Sequence, residues 1–260
     1  MRTDALCGQV LVTCNINERP MLMMLDTGAS HTVLHKGAAS SLSNLEKPDM
    51  SQVKPVGNAK KTPDAALVMV SVAGKGMEKQ MVLVMDLKHL HAAMKEKVDG
   101  VLGMDVLRQL DFTLDFAGGV FQWGAPEQTD GFEALPGRYN QFGCYETELT
   151  IDGKKQIFLL DTGCSRSVMK TADWPYEKEN ECAVQVADIN TAKDQDVADG
   201  CPTDVTWTEH ATLKGFSPML NSACPRALLG VDSLKSFKLV HKAANPNQPQ
   251  GQFLIQQVNK

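Results

Sequence analysis

The sequence predicts a mainly β protein of two pseudo-equivalent lobes carrying short helices, and three observations lead there. The tripeptide Asp-Thr-Gly occurs twice, at 26–28 and 161–163, each time at the end of an apolar run. Slid against itself, the chain matches well beyond those tripeptides. Its apolar runs are short, of strand length, and separated by turn residues at hairpin spacing.

The self-match defines the organisation. Ile16 falls on Ile151, Leu25 on Leu160, Ser30 on Ser165 and Val33 on Val168, all at an offset of 135. Further on, Val-Leu-Gly-Met-Asp-Val-Leu at 101–107 matches Leu-Leu-Gly-Val-Asp-Ser-Leu at 228–234, at an offset of 127. The second copy is therefore about eight residues shorter between the two landmarks, as a loop-length difference inside a duplicated unit would make it. A period this long means two domain copies rather than a solenoid. The expected division is a first lobe at 1–124, a Gly- and Pro-containing linker at 125–139 and a second lobe at 140–260.

Taken in order, 10–14 and 21–25 read as a hairpin around Asn-Ile-Asn-Glu-Arg-Pro. The stretches 67–73 and 81–85 make a second hairpin, turning at Gly74-Lys75-Gly76, and 111–116 with 120–123 a third around Ala117-Gly118-Gly119. In the second half, 145–151 and 156–160 flank Asp152-Gly153-Lys154-Lys155, which is hairpin turn chemistry. Helical periodicity is brief, at 88–97, 105–110 and 233–237.

Composition narrows the function classes. With 260 residues, 43% hydrophobic and 22% charged, the chain has the make-up of a soluble globular protein with a sizeable core. A net charge of −5 offers no basic footprint for nucleic acid and no polybasic patch for a membrane. No apolar stretch approaches the roughly 18–20 residues of a membrane span, and the start lacks a signal-peptide core. The compartment stays open, periplasmic or secreted if a leader was trimmed. Seven cysteines, unevenly spread, do not describe a disulfide framework; Cys182 and Cys201 pairing across a loop and free thiols are both open.

Two matched acidic motifs suggest carboxylates that must meet, an arrangement that activates water without metal or cofactor. Each half resembles one subunit of a retropepsin-type aspartic protease. The residues that carry the resemblance are an apolar strand into Asp-Thr-Gly-x-Ser and a later apolar-apolar-Gly before a short helix, at Val101-Leu102-Gly103 and Leu228-Leu229-Gly230. Gly100 to Leu107 with Asp111 to Phe116 resembles bacterial members. With both copies on one chain, the analogy is to a single-chain, pepsin-like pseudo-dimer of two retropepsin-like β-barrel lobes with the active site between them.

The resemblance implies an aspartic endopeptidase acting on peptide or protein substrates, monomeric, with no cofactor, no metal, no nucleic acid and no membrane. Asp26 and Asp161 are the expected catalytic pair, sharing one proton because two like charges that close cannot both ionise cheaply. Thr27 and Thr162 are expected to point away from the pair and bond across the pseudo-twofold axis. Gly28, Gly163, Ser30 and Ser165 support the pair, and Gly103 and Gly230 allow close packing behind it. Where pepsin-like relatives often place Ser or Thr after Asp-Thr-Gly, this chain has Ala29, with no donor, and Cys164, a weak one. Fewer hydrogen bonds to the charged form predict an optimum in mild acid to near neutrality. A flap is expected at 52–65, with Pro55, Gly57-Asn58 and Lys60-Lys61 at its tip. Its counterpart at 184–204, rich in Asp, reads as an ordinary surface loop, leaving one flap.

Plainer readings compete at several positions. Asp26 and Asp161 as turn residues, or as relics of lost activity, are countered by the intact Asp, Thr and Gly of both copies. A peptide-binding or assembly module of the same fold, and a protease active only as an intermolecular dimer, remain the alternatives. Asp105 and Asp232 read as braces of the short helix after the glycine. His89 and His91 read as a solvated pair rather than a metal site, His31 as a polar rim residue, and Cys164 as a space-filler with no histidine placed to activate it.

Overall fold

The computed structural model of the chain describes residues 2–3, 8–43, 45–48, 63–94, 96–187, 192–246 and 248–258. Its first half opens with β1 (Arg2–Thr3) and the hairpin of β2 (Val10–Ile16) and β3 (Arg19–Leu25). Asn17 and Glu18 turn that hairpin at φ +47° and +64°, the mirror-image turn whose twist matches the flanking strands. After β4 (Val33–His35) and α1 (Lys36–Ala39) comes a longer hairpin, β5 (Asp64–Val72) and β6 (Lys75–Met85). Ala73 and Gly74 form its turn, so β6 starts well before the expected strand at 81. The half continues through α2 (Lys88–Ala93), β7 (Gly100–Leu102) and α3 (Met104–Leu107). The sheet order is β1-β2-β3-β7-β4-β6-β5, and β5 also pairs with β2, so six strands close into a barrel.

Burial follows the pleat. Ala66, Val68, Val70 and Val72 of β5 face inward onto Val10, Val12, Cys14 and Ile16 of β2, while the alternate positions of β5 are more open.

The middle of the chain supplies β8 (Phe112–Asp115), β9 (Val120–Trp123), β10 (Glu133–Ala134) and β11 (Gly137–Tyr139). The second half then repeats the first. β12 (Tyr145–Ile151) and β13 (Lys154–Leu160) turn through Asp152 and Gly153, both at positive φ. They lead to β14 (Val168–Met169), β15 (Lys178–Ala187), β16 (Ala192–Gly200) and β17 (Thr203–Thr206). β18 (Thr212–Phe216), β19 (Met219–Asn221), β20 (Leu228–Leu229) and α4 (Val231–Leu234) complete the repeat. β3 runs parallel to β7 with Leu25 beside Leu102, and β13 runs parallel to β20 with Leu160 beside Leu229. In both halves a short strand then lies antiparallel to that partner: β4 to β7, β14 to β20.

The halves are joined by a sheet of their own. β21 (Phe237–Lys242) and β22 (Gln252–Gln257) lie in the order β10-β22-β21-β8-β9, so the second half's β21 pairs antiparallel with the first half's β8, Leu239 opposite Leu114. Phe112, Leu114, Leu239, Phe253 and Ile255 extend one hydrophobic core through it into both halves. At its centre His241, fully buried, stacks on Phe112 at 4.9 Å and uses both ring nitrogens, one with Tyr139 Oη at 2.7 Å and one with the Leu110 carbonyl at 2.7 Å.

Several expectations need correction. The segment 184–204 is no surface loop: β15 and β16 pair from Lys178↔Gly200 to Ala187↔Ala192 as a long hairpin with one bulge. Its base is anchored, because β16 also pairs with β19 and buries Val197 and Ala198. Low apolar content hid a ladder held by backbone pairing. The expected flap tip lies outside the described residues, and only 63–65 of the segment appear, the last two inside β5. The helices are single turns that start straight after Gly103 and Gly230, and α2 stops at Ala93. Within 125–139, β10 and β11 join the sheets around them. Cys201 carries a free thiol. Among the described residues no helix is long and apolar enough to cross a membrane.

Candidate active site

β3 and β13 carry Asp26 and Asp161 off the ends of their parallel pairs, where the aspartate N–H groups still bond Leu102 and Leu229 carbonyls at 3.1 and 3.0 Å. Each loop then folds back on its own carboxyl. Asp26 Oδ1 accepts the N–H groups of Gly28 and Ala29 at 2.8 and 3.0 Å, and Asp161 Oδ1 those of Gly163 and Cys164 at 2.9 and 3.0 Å.

The threonines between them turn away into the interior, both fully buried, and cross the lobe boundary. The N–H of Thr27 donates to Thr162 Oγ1 and that of Thr162 to Thr27 Oγ1, each at 3.1 Å. Their hydroxyls donate in turn to the carbonyls of Leu160, at 2.6 Å, and Leu25, at 2.9 Å. Four reciprocal bonds fix one loop against the other.

Held in this way, the carboxyl groups of Asp26 and Asp161 are close enough to influence each other's ionisation. Each lies flat against the opposite loop. A Cβ added at Gly28 would stand 2.4 Å from Asp161 Cγ, and one at Gly163 2.4 Å from Asp26 Cγ. The glycines expected to bring backbone to a carboxylate thus serve their own lobe's carboxylate through the N–H and leave room for the other lobe's. Both groups remain partly accessible from outside.

Burial raises the pKa of both aspartates. For Asp161 the nearby charge of Asp26 adds to it, carrying the group well above the ordinary carboxylate range. For Asp26 the hydrogen bonds from Gly28, Asp161, Ala29 and Gly163 oppose the rise. The two titrations are linked, and each rise belongs to the pair rather than to either residue alone.

Behind each loop sits a second duplicated brace. Thr32 donates its N–H and hydroxyl to Asp105 Oδ1 at 2.9 and 2.7 Å, and Ser167 does the same to Asp232 Oδ1 at 2.8 and 2.9 Å. The same oxygens cap the one-turn helices at Val106 and Ser233. Thr32 and Ser167 hydroxyls also receive the N–H of Gly103 and Gly230. At those two glycines a Cβ would fall 2.5 Å from the backbone of His31 and Arg166, so close packing demands them.

Ser30 and Ser165 bond from within the loops that carry the aspartates. The Ser30 hydroxyl meets His31 Nδ1 at 2.9 Å, and Ser165 offers its carbonyl to the Asp232 N–H at 3.2 Å. Both support the loops without bonding a carboxylate. Cys164 Sγ donates to the Arg166 carbonyl at 2.9 Å, away from the pair. Arg166 itself reaches Asp199 of β16 at 2.6 Å. His91 bonds the Val98 carbonyl and lies edge-on to His35. No group of three or more His, Cys, Asp or Glu side chains among the described residues could hold a metal. Sequence reasoning missed Thr32 and Ser167, and also Gln9 and Cys144, which contact the Gly163 and Gly28 carbonyls. The offset of 135 relates the members of each pair, and extending the self-match to hydroxyl residues would have found Thr32 and Ser167, whereas Gln9 and Cys144 differ in type.

Comparison with known proteins agrees with this duplication. An aspartyl protease family model matches residues 12–106, and a retroviral aspartyl protease model matches residues 145–240. No curated protein matches the chain. One such model lies over each half, and each match contains one of the two Asp-Thr-Gly loops that meet at the boundary. The chain belongs to the retropepsin-like aspartyl proteases, with two lobes in tandem.

Proposed function

We propose that the protein is an aspartic endopeptidase in which Asp26 and Asp161 activate a water molecule. The ionised member of the pair takes a proton from the water as its oxygen attacks the scissile carbonyl carbon. The protonated member gives its proton to the carbonyl oxygen, forming a neutral tetrahedral diol. Collapse of the diol breaks the C–N bond and sends a proton to the leaving amine, and the pair is left with the single proton it began with. No cofactor enters the balance.

The observation that carries this reading is the reciprocal seating of each carboxyl on the opposite loop's glycine, with 2.4 Å to a hypothetical Cβ. Such closeness serves a shared proton and has no use in a simple turn. Thr27 and Thr162 supply rigidity, while Gly103 and Gly230 let the chain pack behind the loops. Both loops reside on one chain and complete each other's bonds, which favours a monomer over an intermolecular dimer. The working lobes are 1–124 and 140–260, joined through 125–139. The substrate is an extended peptide between them, and apolar side chains flanking the scissile bond are the expectation from family resemblance.

The test is cleavage of a peptide library by wild type, Asp26→Asn and Asp161→Asn. Wild-type cleavage lost in both variants supports the reading. Retained cleavage in either variant refutes the mechanism. A wild type that cleaves nothing across about pH 3–8 would return the fold to a peptide-binding role.

A further inference from the structure

Gln9 and Cys144 stand 135 residues apart, at equivalent points of the repeat. Each follows a glycine at positive φ, Gly8 at +77° and Gly143 at +81°, and each leads into its lobe's first long strand, β2 or β12. Both are buried, at 6% and 3% exposure. Each crosses the lobe boundary to the same atom of the opposite loop. Gln9 Nε2 donates to the Gly163 carbonyl at 3.0 Å, and the Cys144 thiol to the Gly28 carbonyl at 3.5 Å.

Those carbonyls belong to particular peptide units. The one at Gly163 shares its plane with the N–H of Cys164, which donates to Asp161 Oδ1; the one at Gly28 shares its plane with the N–H of Ala29, which donates to Asp26 Oδ1. Because the unit is planar, holding its oxygen aims its N–H. An accepting carbonyl also polarises that N–H into a better donor. The two ties are unequal, since an amide is a strong donor and a thiol a weak one.

Gln9 carries a cost. Its Oε1 is buried without a partner among the described residues, an arrangement that weakens a fold. A methionine of similar length would fill the same space without that cost. Keeping an amide here makes sense where its N–H has work at the loop it touches.

We propose that Gln9 is a positioning residue, aiming the Cys164 N–H at Asp161 from the opposite lobe, with Cys144 its weaker counterpart on the Asp26 side. This rests on the aspartic protease reading above. Removing the amide withdraws support from the ionised carboxylate, so the pair ionises at higher pH and the acidic limb of the rate profile moves upward. Gln9 is sealed from solvent, so substrate affinity is unaffected.

The experiment compares full-length wild type, Gln9→Met and Cys144→Ala by kcat, KM, pH–rate profile and thermal melting. Gln9→Met is expected to melt at or above the wild-type temperature, with KM nearly unchanged, kcat about five- to tenfold lower and the acidic limb displaced upward. Cys144→Ala is expected to keep kcat within about twofold. Wild-type kcat and pH profile in Gln9→Met would overturn the proposal. So would a kcat loss matched by a lower melting temperature without movement of the limb, or failure of Gln9→Met to fold, because the amide must be dispensable for stability. An inactive wild type defeats the protease reading itself, whereas an active wild type with an indifferent Gln9→Met defeats only this inference.

Discussion

Thr27 and Thr162 exchange backbone-to-hydroxyl hydrogen bonds at 3.1 Å in both directions, so neither Asp-Thr-Gly loop is complete without the other. The relation ties a local motif to the whole molecule. Each loop's threonine N–H is satisfied only when the lobes are docked, and docking is what seats Asp26 and Asp161 against the opposite glycines.

Replacing either threonine by valine keeps the shape and removes the hydroxyl. Thr27→Val leaves the Thr162 N–H and the Leu160 carbonyl without their partners in a dry interior. Each orphaned group costs about 1–3 kcal/mol. A drop of several degrees in Tm is expected, together with a large loss of kcat, while Thr27→Ser keeps most of both. Thermal melting paired with peptide cleavage checks it; a valine variant as stable and active as wild type would contradict the role assigned to the hydroxyl.

Gly28→Ala and Gly163→Ala act on chemistry more than on folding. Neither glycine is at positive φ, so the backbone accepts alanine, but the new Cβ would collide with the opposite carboxyl. Displacing a reacting carboxyl by even about 1 Å is expected to cost roughly a hundredfold in kcat/KM. Circular dichroism should show a native fold in both variants. Near wild-type turnover in either would mean that the carboxyls do not depend on this seating.

How much of this was legible in the chain depended on where the information lay. The loops, Gly103 and Gly230 were legible because the chemistry forces the same residues in both copies. The hairpins were legible because turn residues and a period of two are local signals. The sheet between the halves was not, since Leu239 of β21 and Leu114 of β8 are partners only across more than a hundred residues of chain. The β15–β16 hairpin was misread because its ladder rests on backbone pairing and an anchored base rather than an apolar stripe. Gln9 and Cys144 escaped because the repeat conserves their place and contact while changing the residue type.

The position after each Asp-Thr-Gly should set the acidity of the pair. Ala29 gives Asp26 only a backbone N–H, and the Cys164 thiol is engaged with Arg166. Burial raises both carboxyls, with no hydroxyl at position 29 or 164 to oppose it, and a rate optimum in mild acid to near neutrality is the expected outcome. Ala29→Ser adds a donor that favours the charged form, so its acidic limb should move to lower pH. A wild-type peak near about pH 2–3, or an upward shift in the serine variant, would contradict this account.

His241 makes the junction of the lobes sensitive to acid. Burial lowers its pKa from 6.5 to about 4, and the bond to Leu110 and the charge of Asp111 are too weak to offset that. The folded state therefore binds this proton less readily than the unfolded chain, and stability from the neutral ring is complete above about pH 6.5 and lost as pH falls towards 4. The span corresponds to about 3 kcal/mol at this one site. Protonation would also deprive Tyr139 Oη of its acceptor and set a second positive charge near Arg108, whose guanidinium lies 5.0 Å from the Tyr139 ring centre. His241→Gln cannot titrate, so its unfolding free energy should fall less than that of wild type between pH 6.5 and 4, whatever its absolute value. Urea unfolding at several pH values across that window measures the difference, and parallel curves for the two proteins would remove His241 from the explanation.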